Sequence, residues 1–93
     1  MALTHDISTD QQGKSFEFKA KVYNPNSVLV QMIIATSTGN IKNIVIPSNS
    51  DFVEVSSEVL TVPETTYLRC IFTVRETTSL SNLYVDDISL TIQ

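Results

Sequence analysis

Between Ser15 and Tyr23 the chain alternates without interruption: Phe16, Phe18, Ala20 and Val22 take one parity, and Ser15, Glu17, Lys19, Lys21 and Tyr23 the other. Side chains along an extended strand point to opposite faces, so this pattern makes one apolar face and one wet face of a half-buried β-strand. The same signal recurs along the chain, and no helical repeat competes with it. Serine and threonine supply 22 of the 93 residues, and β-branched residues are frequent. Ala, Leu, Lys and Glu nowhere gather at the 3.6-residue spacing of an amphipathic helix.

Seven strands are predicted: Leu3–Thr9, Ser15–Tyr23, Val28–Ala35, Ile41–Ile46, Phe52–Thr61, Thr66–Arg75 and Asn82–Ile92. Turn chemistry separates them. Asn24-Pro25-Asn26-Ser27 and Pro47-Ser48-Asn49-Ser50 combine proline, which pre-sets one backbone angle, with asparagines that tolerate left-handed backbone. Val28 to Ala35 is apolar on both faces, as in a central strand covered on each side or one whose outer face meets a neighbour. In Thr66–Arg75, Leu68, Cys70, Phe72 and Val74 point inward, while Tyr67, Arg69 and Arg75 point outward. Short strands at regular spacing with polar turns predict an all-β fold, a β-sandwich or jelly roll of about seven short antiparallel strands. Residues 1–93 are expected to make a single domain with one core.

Composition narrows the function classes. One cysteine, Cys70, permits no intrachain disulfide, which leaves oligomerisation or a bound ion as a supplement to a small core. The net charge is -4, and the six basic residues are scattered. No cluster can neutralise successive phosphates, so nucleic-acid binding is not expected. No apolar run is long enough to span a bilayer, and membrane insertion is not expected. No nucleophile with its base, phosphate loop or metal-ligand constellation can be read from the residues, so the chain is expected not to be an enzyme. His5, the single histidine, has no partner for a zinc site or a triad.

The closing strand carries two adjacent carboxylates. Unbroken alternation puts Tyr84, Asp86, Ile88, Leu90 and Ile92 on one face, and Leu83, Val85, Asp87, Ser89 and Thr91 on the other. Asp86 is then predicted to point inward and to need a partner, and Asp87 to face solvent. Glycosidases set an acid and a base across a cleft, whereas neighbours on a strand point apart, so catalysis by this pair is not expected.

Four stretches taken together, Gly13-Lys14-Ser15-Phe16-Glu17-Phe18-Lys19-Ala20-Lys21-Val22, Asp51-Phe52-Val53-Glu54-Val55, Leu60-Thr61-Val62-Pro63 and Tyr84-Val85-Asp86-Asp87-Ile88-Ser89-Leu90, resemble carbohydrate-binding-module jelly rolls of the galactose-binding-like type. Such sandwiches also serve as phage structural proteins. The resemblance implies a calcium ion at Asp86 as against an aspartate held by hydrogen bonds alone. The carboxylate that shares the ion in that family has no counterpart here, and Phe52 stands where its members commonly carry tryptophan.

Two functions follow as expectations. The first is a non-enzymatic phage virion accessory module, a capsid decoration, head-fibre or tail protein, that works as a homo-oligomer or with other virion proteins and can also attach to a host surface. The second is an extracellular carbohydrate-binding module of a hydrolase or adhesin. Tyr67, Arg69, Tyr23 and Phe52 are the ligand-binding candidates, because aromatic faces grip sugar rings and arginines bond hydroxyls or carboxylates. The same residue types anchor protein contacts. Ile33, Ile71 and Leu29 lie opposite the main apolar stripes and are expected to be covered by another subunit.

Overall fold

The computed structural model describes residues 2–25, 29–74 and 83–93. Its strands are β1 (Ala2–Asp6), β2 (Ser15–Tyr23), β3 (Val30–Thr36), β4 (Gly39–Val45), β5 (Val53–Ser56), β6 (Leu60–Thr61), β7 (Tyr67–Val74) and β8 (Tyr84–Ile92), with one 3-10 turn over Thr9–Gln11. All pairings are antiparallel. One sheet has the order β1-β7-β3-β4. In the other, β2 is central: β5 and β6 pair with successive parts of it on one side, and β8 pairs along the opposite side. The protein is an antiparallel β-sandwich, a fold compatible with a jelly roll.

The inner faces are those the alternation predicts. Phe16, Phe18, Ala20 and Val22 of β2 meet Val30, Met32 and Ile34 of β3 and Leu68, Cys70 and Phe72 of β7 in one buried cluster. Phe16 and Phe18 touch edge to face, with ring centroids 6.0 Å apart, the arrangement that ring quadrupoles favour. Phe18, Val22, Met32, Ile34 and Cys70 are fully enclosed. Val28, Arg75 and Asn82, predicted ends of three strands, lie outside the described residues.

The single strand predicted over Phe52–Thr61 is two strands. Ser57 is fully buried, and its N–H donates to the Phe18 carbonyl (2.9 Å) while its Oγ accepts the Phe18 N–H (2.9 Å). The hydroxyl thus stands in for a main-chain acceptor, and Glu58 takes a left-handed backbone, φ 64°. Alternation fails across this break: Ser57 and Leu60 both turn to the core, and Val59 between them is 66% exposed. Lys42 Nζ reaches Glu58 Oε2 at 3.2 Å and bridges the two sheets on that side.

The closing strand departs from its predicted pattern in a way that decides the fate of Asp86. Lys21 pairs with Asp86, but Lys19 pairs with Ser89, so Ala20 alone faces both Asp87 and Ile88. This is a β-bulge, and Asp87 sits at its left-handed position, φ 52°. The parity of the strand switches there. Leu83 and Val85 pack on the core before the bulge, and Ile88, Leu90 and Ile92 pack on it afterwards. An unbroken strand would turn one of these sets toward solvent. The prediction of an inward Asp86 is therefore corrected: Asp86 and Asp87 are both exposed. Asp86 Oδ1 accepts the Asp87 N–H at 2.9 Å, and Lys21 Nζ lies 3.5 Å from Asp87 Oδ2. Aspartate suits this position because its short side chain bonds local backbone and tolerates the left-handed region.

Substitutions at Asp87 test the bulge. Glycine carries no penalty at positive φ, whereas valine costs about 1–2 kcal/mol there. Urea unfolding is expected to rank Asp87→Gly at or above the parent and Asp87→Val below it. A regular strand would give the reverse order, since valine favours strands.

Candidate binding surfaces

Asn24 at the end of β2, the connection after β4 and the start of β8 gather at one end of the sandwich. Its organiser is Asn24, a fully buried polar residue at the end of β2. Asn24 Nδ2 donates to the Ile46 carbonyl (3.0 Å), and its backbone N–H donates to Asn49 Oδ1 (2.9 Å). Asn49 returns its N–H to the Asn24 carbonyl (2.8 Å) and gives Nδ2 to the Val22 carbonyl (3.3 Å). Ile46 N–H in turn donates to the Val30 carbonyl at 2.9 Å. The clamp ties the β4–β5 connection to the end of β2, and through Ile46 to β3 of the facing sheet. Asn26 and Ser27 of the first predicted turn lie outside the described residues, and Pro47–Asn49 of the second form the connection after β4. The buried side-chain bonds between the two were not legible in the sequence, because asparagines in Asn-Pro and Ser-Asn-Ser contexts ordinarily face water.

On the outer face of the β2 sheet, the clamp holds a row of three aromatic rings. Tyr23 stacks on Tyr84, with centroids 5.3 Å apart and planes at 15°, and meets Phe52 at 5.9 Å. Phe52 is 46% exposed and Tyr84 44%. Cross-strand neighbours on one face bring such rings together. Tyr84 had not been singled out, although its shared parity with Asp86 placed it on the same face of β8. Leu29 and Val53 are exposed near the same end, so four of the seven exposed large hydrophobics collect there. The next row down the sheet is charged: Lys21 lies between Glu54 on β5 and Asp86 on β8. With Asp51 before Phe52 and Asp87 in the bulge, four carboxylates stand against one ammonium among the described residues of this region.

The four predicted ligand-binding residues divide between two surfaces. Tyr23 and Phe52 belong to the aromatic row. Tyr67 and Arg69 lie on the outer face of the other sheet, where the Arg69 guanidinium carbon sits 4.9 Å from the Tyr67 ring centroid and Nε donates to Thr4 Oγ1 at 2.9 Å. One face of Tyr67 is thus covered by its own neighbour. On this sheet Ile33 pairs with Ile71, and Ile71 with Ala2, while Val45 is 59% exposed on β4 in the next row. Ile33 and Ile71 face outward as expected and are half-buried, Asn43 lies opposite Ile33, and Val45, opposite Gln31, is the diagonal neighbour of Ile33. Leu29 lies apart from them, at the loop end.

A cleft of about 240 Å³ opens at the far end of the β2 sheet, lined by Ser15, Glu17, Lys19, Val59, Thr91 and Gln93 among others. Glu17 Oε2 there accepts the Ser56 hydroxyl. Among the described residues no three His, Cys, Asp or Glu side chains group as metal ligands, and His5 is exposed. The physical argument for calcium at Asp86 was a buried carboxylate awaiting a partner, and with Asp86 exposed that argument lapses. Among the described residues no helix is long and apolar enough to cross a membrane.

Cys70 belongs to the core. Burial pushes its thiol from 9.0 up to about 12, because the thiolate cannot be solvated there. A raised folded-state value means that the folded protein holds its proton more tightly. Its contribution is therefore complete below pH 9.0 and is lost as the pH climbs from 9.0 toward about 12. Cys70 is expected to resist iodoacetamide in the native protein at pH 8 and to react fully in denaturant; native labelling at the denatured rate would contradict its placement.

No family model, curated protein or solved structure matches the chain. The fold and its surfaces therefore carry the functional argument.

Proposed function

We propose that the protein is a non-enzymatic assembly module, of the kind that decorates or extends a phage particle, and that it associates with further copies of itself through a sheet face. The outward Ile33–Ile71 pair, with the exposed Val45 diagonal to it on the edge strand, is the observation that carries this proposal. Outward apolar residues of this kind suit burial against another subunit. The strand edges suit association less well, because three of the four are interrupted in a manner that disfavours continued pairing. A bulge at Asp87 bends β8, a register shift leaves Ile41 out of step in β4, and a break at Ser57 divides β5 from β6. The remaining edge, β1, is five residues long and ends in His5 and Asp6.

Sedimentation at micromolar concentration is expected to give species larger than the 10.3 kDa chain. Val45→Asp, at an exposed edge position, is expected to release monomer without loss of fold. A folded monomer in the parent protein would remove the self-association proposal.

A second function is favoured by the cleft beside Glu17 and Lys19, whose hydroxyl and carboxamide neighbours match sugar hydroxyls on the same face as the aromatic row. It is the extracellular carbohydrate-binding module. A glycan array without signal would exclude it.

A further inference from the structure

We infer that the aromatic end of the sandwich docks an arginine side chain of a partner protein. The inference rests on reading the protein as an assembly module, but it uses a different surface from self-association. Three features converge on one occupant. Phe52, Tyr23 and Tyr84 form a continuous row in which the outer two rings are nearly half exposed, 46% and 44%. Carboxylates of Glu54 and Asp86 flank the row immediately below, about 7 Å away along the strands, the rise of two residues. A single arginine spans that distance. Its planar guanidinium can lie against an aromatic ring and present its fork of donors to a carboxylate, which the compact lysine ammonium cannot do at once.

Charge favours a cation specifically. Lys21, the one ammonium among the described residues of this region, already lies 3.5 Å from Asp87, which leaves Glu54, Asp86 and Asp51 in excess. A purely apolar partner would bury those carboxylates beside it without compensation. The Asn24–Asn49 clamp fixes the turns beneath the row, so the surface is arranged before binding and less ordering entropy is lost on docking.

The test uses the whole protein, isotopically labelled, titrated with a Gly-Arg-Gly-Arg-Gly peptide and with its lysine counterpart, and followed by ring and amide resonances. The arginine peptide is expected to shift signals of Tyr23, Phe52 and Tyr84 and to bind at least about fivefold more tightly than the lysine peptide. Phe52→Ala and Asp86→Asn, both at exposed positions, are expected to erase that preference while leaving the fold intact by circular dichroism. Equal affinity for the two peptides, shifts away from this end, or binding unchanged in Phe52→Ala would each overturn the inference. An oligosaccharide that shifts the same rings while the arginine peptide does not would assign the end to sugar and overturn it as well. If the parent protein self-associates on sedimentation yet ignores the arginine peptide, this inference fails and the assembly proposal stands.

Discussion

Phe18→Ala is expected to lower the unfolding free energy by about 3–5 kcal/mol, the usual cost of emptying an enclosed phenylalanine site. Phe18 is 0% exposed at the centre of β2, paired with Leu90 of β8 on one side and bonded to Ser57 on the other, and its ring contacts Phe16. Its main-chain N–H and carbonyl both bond Ser57, where the pairing strand breaks. Collapse around the vacated volume is resisted because the backbone is held from both directions. Domains of this size have about 5–15 kcal/mol in total, so the variant retains little margin. Its midpoint is expected to fall by at least about 12 °C, taking about 4 °C for each kcal/mol. Thermal unfolding checks this, and a shift of only a few degrees would mean that the site collapses freely and the two sheets are not rigidly spaced at β2.

Asn24→Ala is expected to cost about 2–3 kcal/mol, because it strips the Ile46 carbonyl of its Asn24 donor inside the protein. Asn24→Asp should be worse at neutral pH, since a carboxylate would then face that carbonyl. Burial raises the pKa of such a group, so its proton is held more tightly in the folded state and the stability of this variant should improve as the pH is lowered. A paired urea series at pH 7 and pH 5 measures the difference. If Asn24→Asp and Asn24→Ala unfold alike at both values, the side chain is not enclosed as described. Because the clamp holds the turns beside Tyr23 and Phe52, either variant should also weaken whatever binds the aromatic row.

The regular part of the fold was legible because it rests on a local rule. In β2 and β7 the inward residues were correctly named, since period-two alternation and burial coincide wherever a strand runs unbroken. The rule failed at Ser57 and at Asp87, and both failures have one cause. A hydroxyl that replaces a main-chain acceptor, and an aspartate that accepts a left-handed backbone, shift the parity by an amount the pattern does not record. Asp86 was misplaced for that reason.

The candidate sites divide in the same way. Tyr23, Phe52, Tyr67 and Arg69 were recognisable as outward-facing residues, but whether they share a surface depends on which sheet each strand joins. Tyr23 and Phe52 meet because β5 pairs with β2, while Tyr67 and Arg69 lie on β7 in the opposite layer. By itself the sequence determined that the chain is all β and which residues of its unbroken strands face the core, because those properties depend on near neighbours along the chain. Only the tertiary structure decided the strand order, the exposure of both aspartates, the Asn24–Asn49 clamp and the row formed by Phe52, Tyr23 and Tyr84. Each of these joins residues far apart in the sequence, and it is long-range pairing across two sheets that brings them within a few ångströms.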